Sequence, residues 1–90
     1  LSKIKPNDKE QKAIKKLIKA IEIYEGDLNA ETYQSLIYKF GKEVYPENLR
    51  SWFISLYKIL FGSDSGPRLG SFFSLHKKAE VIEILKDPIS

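Results

Sequence analysis

The sequence predicts an all-α fold, a compact helical bundle or cage of about five helices. Apolar residues recur at offsets of three and four in five separate stretches, and no stretch makes a convincing strand. The stretches are joined by short connections, which favour sequential neighbours packing on one another.

The first stretch sets Ile14, Leu17, Ile18, Ile21 and Tyr24 on one face, with Lys12, Lys15, Lys16, Lys19 and Glu22 between them. Pro6-Asn7-Asp8 marks its start, with Asn7 or Asp8 accepting from an orphan N–H, and Gly26 marks its end, so the helix covers about 8 to 25. Asn29 caps a second helix reading Tyr33, Leu36, Ile37, Phe40 and Val44, with Gly41 as a weak point, to about Tyr45. Pro46 suits the first turn of the third, whose stripe is Leu49, Trp52, Phe53, Leu56, Tyr57 and Leu60 and which Gly62 closes. After Ser63-Asp64-Ser65-Gly66, Pro67 opens a short fourth helix with Leu69, Phe72, Phe73 and Leu75 as its buried stripe. Ala79, Val81, Ile82 and Leu85 carry the last helix until Lys86-Asp87-Pro88 stops it.

At 90 residues the chain has room for one domain, 1–90. The absence of cysteine excludes a disulfide framework and thiolate metal sites, and it suits a reducing cytoplasm. The apolar runs fall far short of the roughly 20 residues needed to span a bilayer. Leu1-Ser2-Lys3-Ile4 has neither an initiator Met nor the apolar core of a secretory signal and reads as a cut inside a longer chain.

Residues 1–26 carry seven Lys against four acids, whereas residues 27–90 balance eight Lys/Arg with eight acids, so the net charge of +3 resides in the first helix region. Such a segment suits an acidic partner such as nucleic acid, or simply solvates a helix face.

Catalysis would fall to His76, the single histidine, yet no spacing assembles a nucleophile, a base and an orienting acid around it, even with Ser71 and Ser74 nearby. His76 and Glu80 share a helical spacing, but two ligands are too few for a dedicated metal site. The glycines at 62, 66 and 70 lack the Gly-Lys-Ser/Thr ending of a phosphate loop and follow a helix instead of a strand. Two readings of Gly66-Pro67-Arg68 stay open: a helix start whose N–H groups and guanidinium hold a phosphate or base, or an Arg68 paired with a carboxylate. Most aromatics are expected in the core, with Tyr57 and Phe73 at stripe edges where bases of single-stranded RNA could stack.

The run Gly66-Pro67-Arg68-Leu69-Gly70-Ser71-Phe72-Phe73-Ser74-Leu75, followed by Ala79-Glu80-Val81-Ile82-Glu83-Ile84-Leu85, resembles the extreme C-terminus of class I lysyl-tRNA synthetases. The preceding Leu56-Tyr57-Lys58-Ile59-Leu60-Phe61-Gly62 is similar to that family's apolar helix ending in Gly, and the match covers about the last third of the chain. The resemblance implies the fold of a class I synthetase anticodon-binding domain, a helix cage at the C-terminal end of a longer enzyme. Its implied partners are the tRNA anticodon stem-loop and, in cis, a Rossmann-type catalytic domain that uses ATP to attach lysine. Neither ATP-site signature, His-x-Gly-His or Lys-Met-Ser-Lys-Ser, occurs here, so no catalytic residue and no cofactor are assigned to this chain.

On this reading Arg68, Lys77 and Lys78 are the first choices for RNA contact, followed by His76, Arg50 and Tyr57. Where members of that family often have Leu-Gly-Lys before the last helix, this chain has Leu75-His76-Lys77, at an energetic cost if that turn needs a left-handed residue. Two alternatives accompany it: an anticodon-binding domain of a glutamyl-tRNA synthetase, and a helical protein-interaction domain whose lysines serve solubility.

Overall fold

Asn7 sets the start of the first helix. In the computed structural model, which describes residues 3–90, its side-chain oxygen accepts from the Glu10 N–H at 2.8 Å and Glu10 accepts in return from the Asn7 N–H at 2.9 Å. This capping box opens α1 (Asp8–Ile23). The elements α2 (Ala30–Val44), α3 (Leu49–Phe61), α4 (Leu69–Ser74) and α5 (Lys78–Lys86) follow, and a 3₁₀ turn at Asp87–Ile89 accommodates Pro88. No strand occurs among the described residues, in agreement with the predicted all-α class. The cut read at Leu1-Ser2 lies outside them.

The helix α2 is central. It packs against α1, α3 and α4, and α1 in turn receives α5. One core joins all five, built around Trp52, Tyr33, Phe73, Ile14, Leu17, Ile37, Leu56 and Leu85. Burying such side chains contributes about 1.5–3 kcal/mol each, offset largely by the entropy of ordering the chain.

Several boundaries differ from the sequence reading. The first helix stops at Ile23, and Gly26 is not left-handed, since Gly62 (φ 74°) has the one positive φ among the described residues. A tertiary contact takes the place of the expected glycine cap: the Lys78 ammonium donates to the carbonyls of Glu22 at 2.9 Å and Tyr24 at 3.3 Å. A cation at a helix C-terminus satisfies orphan carbonyls and complements the dipole. Tyr24, expected in the buried stripe, is exposed, as are Leu75 and Ala79. Leu75 follows the last residue of the six-residue α4, and its side chain leaves the core there.

Neither proline starts a helix. Pro46 lies in the turn before Asn48, which is the true cap of α3, and Pro67 precedes the Arg68 cap of α4. The expected cap at Asn29 and the closing Gly62 are both found.

Glu10 is a buried acid whose polar atoms are satisfied, since its second oxygen accepts from the Tyr45 hydroxyl at 2.8 Å. Burial raises the pKa of Tyr33 above the ordinary tyrosine value. At Tyr45 the Ser55 hydrogen bond lowers the pKa, but burial and the Glu10 carboxylate outweigh it and the net shift is upward. A raised folded-state pKa means that the neutral hydroxyl favours the fold, an effect fully present below the unfolded value of about 10 and lost as pH rises through the folded value. Denaturant titrations are therefore expected to give falling stability above about pH 10, with a shallower fall for Tyr33→Phe. An identical slope in that variant would exclude Tyr33 as a contributor.

Candidate nucleic-acid interface

The C-terminal turns of α3 carry Tyr57 and Phe61 at a spacing of four, so their rings share one face. Gly62 reverses the chain, and Gly66 then lies against the ring of Tyr57, where an added Cβ would stand 3.1 Å from the ring and 3.4 Å from Phe61. The Tyr57 hydroxyl donates to the Pro67 carbonyl at 2.9 Å and ties the loop to α3.

The chain then enters α4, and Phe72 meets Phe61 edge-on, with centroids 5.2 Å apart. Phe72 in turn meets the His76 ring at 4.9 Å. Tyr57, Phe61, Phe72 and His76 thus form a continuous strip of half-buried rings. Such a strip presents ring surface to solvent while its inner edges hold it in place, which is what base stacking requires.

Arg68 stands beside the strip. Its guanidinium donates to Glu31 on α2 at 3.1 Å and to Ser71 at 3.4 Å. Of the two open readings, the carboxylate pair is the one found, and both side chains are well exposed, at 46% and 81%. An exposed pair contributes at most about 1 kcal/mol, so a phosphate or base edge can take the guanidinium from Glu31. The helix-start reading is not supported, because α4 is only six residues long and its Gly70 N–H already donates to the Gln34 side chain at 2.8 Å.

The remaining predicted residues separate. Lys77 is exposed, and its backbone N–H donates to Glu80 at 2.8 Å. A lysine ammonium has no lone pair to accept with, so only the returning half of a capping box exists there. Lys78 spends its ammonium on α1. Arg50 is exposed on the first turn of α3, on the same face as Tyr57 but two turns, about 10 Å, below it.

Phe73, expected at a stripe edge, is 1% exposed and packed on Tyr33 at 5.7 Å, so no base can stack on it. Phe72 and Phe61 present ring surface in its place. The Tyr57/Phe61 spacing of four was the available signal, but the half-exposure of Phe72 depends on how α4 crosses α2. His76 meets no left-handed strain, because its φ is not positive. Its N–H donates to Phe73 at 3.0 Å in the turn that ends α4.

Among the described residues, no helix is long and apolar enough to cross a membrane. No family model matches the chain. No solved structure matches it either. Curated relatives do. A lysine–tRNA ligase of Roseobacter denitrificans is 34% identical over 79 residues, covering 88% of this chain and 15% of the relative. Lysine–tRNA ligases of Rickettsia bellii (31% identical) and Rickettsia felis (32%) cover 98% and 94% of this chain, and 17% and 16% of their own lengths. The chain thus spans about one sixth of the length of these relatives. It is an aminoacyl-tRNA synthetase-related domain, similar along most of its length to a segment of lysine–tRNA ligases.

Proposed function

We propose that this chain is the anticodon-binding module of a class I lysine–tRNA ligase. It holds the anticodon stem-loop of a lysine tRNA while a catalytic domain in the same cytoplasmic parent polypeptide carries out ATP-dependent aminoacylation. The observation that carries this reading is the similarity of 88–98% of the chain to segments of lysine–tRNA ligases. The names of those relatives favour lysine over the glutamate alternative. The half-buried ring strip with a loosely held arginine beside it favours RNA over a plain protein-interaction domain.

In this mechanism, unstacked loop bases lie on Tyr57, Phe72 and His76, each stacked base contributing about 1–3 kcal/mol. Arg68 exchanges Glu31 for a phosphate or base edge, and Lys77 adds charge at the end of the strip. Arg50 meets RNA that continues along α3. Lys78 contributes by fixing α5 on α1, so its replacement is expected to lower stability before it touches affinity. Neither ATP-site signature lies in this chain, so ATP and lysine fall to the catalytic domain.

The test is NMR chemical-shift mapping of the labelled chain with a lysine-anticodon stem-loop, a glutamate-anticodon loop and an unrelated hairpin, each at two salt concentrations. Selective, salt-weakened shifts at Arg68, Phe72 and His76 are expected. Arg68→Ala is expected to weaken cognate binding about tenfold, in line with one lost charge-assisted hydrogen bond of about 1.5 kcal/mol. Salt-insensitive binding, or preference for the glutamate loop, would overturn the assignment.

A further inference from the structure

The outer face of α1 plays no part in the ring strip. Lys9, Lys12, Lys15, Lys16 and Lys19 fall within an arc of about 120° opposite the buried stripe, at 100° per residue. The one acid between Lys9 and Lys19 is Glu10, which is turned inward and engaged by Asn7 and Tyr45. Among the described residues, Lys16 alone of the five has a carboxylate within ion-pair distance, Glu43 at 2.6 Å. Lys9, Lys12, Lys16, Glu43 and Val44 line a shallow groove of about 210 Å³ between α1 and α2.

A helix face that only needed solvating would place Glu four residues from Lys, which supports the helix. This one has acids only at its two ends, Asp8 four residues before Lys12 and Glu22 three after Lys19, and between them it stacks Lys12 over Lys16 and Lys15 over Lys19, like-charge pairs that repel at that spacing. The arrangement works against α1 in isolation, and a polyanion laid along it would reverse the sign of those interactions.

We propose that the lysine face of α1 is a second nucleic-acid surface, one that tracks the phosphate backbone of an RNA stem without reading its sequence. The choice of occupant rests on the RNA-binding function proposed above and on charge complementarity, since A-form RNA offers regularly spaced phosphates and lysine engages them as a point charge. Glu43, where Lys16 is paired, and Glu31, where Arg68 is paired, lie twelve residues apart on α2, about 18 Å along its axis. The two surfaces are therefore separate, and one RNA can bridge them with its loop on the ring strip and its stem on α1.

The experiment uses this chain, the variant K9Q/K12Q/K15Q/K19Q and the variant E43Q. Each is titrated by fluorescence anisotropy with the lysine-anticodon stem-loop, an unrelated hairpin and anionic vesicles across a salt series, with circular dichroism to verify folding. Lys16 is kept because Glu43 would lose its partner. The four-lysine variant is expected to bind both hairpins at least tenfold more weakly at low salt, with the slope of log affinity against log salt shallower by about 2–4 and the cognate-to-unrelated ratio unchanged. E43Q, which frees Lys16, is expected to bind both hairpins several-fold more tightly.

Unchanged affinity and slope in the four-lysine variant would overturn the α1 surface, while retained loop discrimination would leave the anticodon reading intact. Loss of binding in that variant from a parent that discriminates no loop would uphold the surface and overturn the anticodon reading. Binding to vesicles but to neither hairpin would overturn both.

Discussion

Replacing Trp52 with alanine is expected to lower the unfolding free energy by about 3–5 kcal/mol, the usual cost of emptying a large aromatic site. The side chain is fully buried between α3 and α2, and its indole N–H donates to the Ile37 carbonyl at 3.0 Å. A domain of this size has about 5–13 kcal/mol in total, so the loss is a large share of it. Gly41 shows why the indole fits. A Cβ there would lie 2.2 Å from one indole carbon and 2.5 Å from its nitrogen, far inside contact distance. Alanine at 41 would gain about 1 kcal/mol of helix propensity but lose more to overpacking, commonly about 1–3 kcal/mol. Gly41→Ala alone is therefore expected to destabilise. In the Trp52→Ala background, with the indole gone, the same change should be neutral or stabilising. Urea melts of the four proteins check this, and additive effects would mean that the two residues do not meet as described.

Gly70→Ala is expected to be nearly as severe, with a loss of about 2–3 kcal/mol or more. Its Cβ would meet the Ala30 backbone carbonyl at 2.3 Å and the Gln34 side chain at 2.8 Å. A flexible side chain can move aside, but the carbonyl belongs to the first turn of α2 and cannot. The substitution must push α4 off α2, which also strains the Gly70 N–H bond to Gln34 and the Arg68–Glu31 pair. Because Phe72 rides on α4, loss of stability should be accompanied by weakening of the RNA binding proposed above. Ser71→Ala makes a control, since Ser71 is exposed on the same helix and should alter stability by less than about 0.5 kcal/mol. Equal melting temperatures for Gly70→Ala and the parent chain would refute the close crossing.

These two glycines show where reading the chain as a string falls short. Gly41 looked like a weak point in a helix, and Gly70 looked like part of a loop motif. Each is instead a notch for a neighbour distant in sequence, an indole from α3 in one case and the edge of α2 in the other. The same holds at the end of α1, where Gly26 was the visible stop signal but the carbonyls are capped by Lys78, more than fifty residues away.

The all-α class, the helix count, the caps at Asn7, Asn29 and Gly62, and most of the core could be read directly from residue order. Helical periodicity and capping act over three or four residues, so the chain carries their signal locally. Leu75 and Phe73 exchanged their expected exposures because those outcomes depend on which face of a six-residue helix meets α2, and the tie that Lys78 makes to the end of α1 depends on how α5 docks there. Tyr57, Phe61, Phe72 and His76 form one strip for the same reason: they come from α3, α4 and the turn after it, and packing alone brings them together.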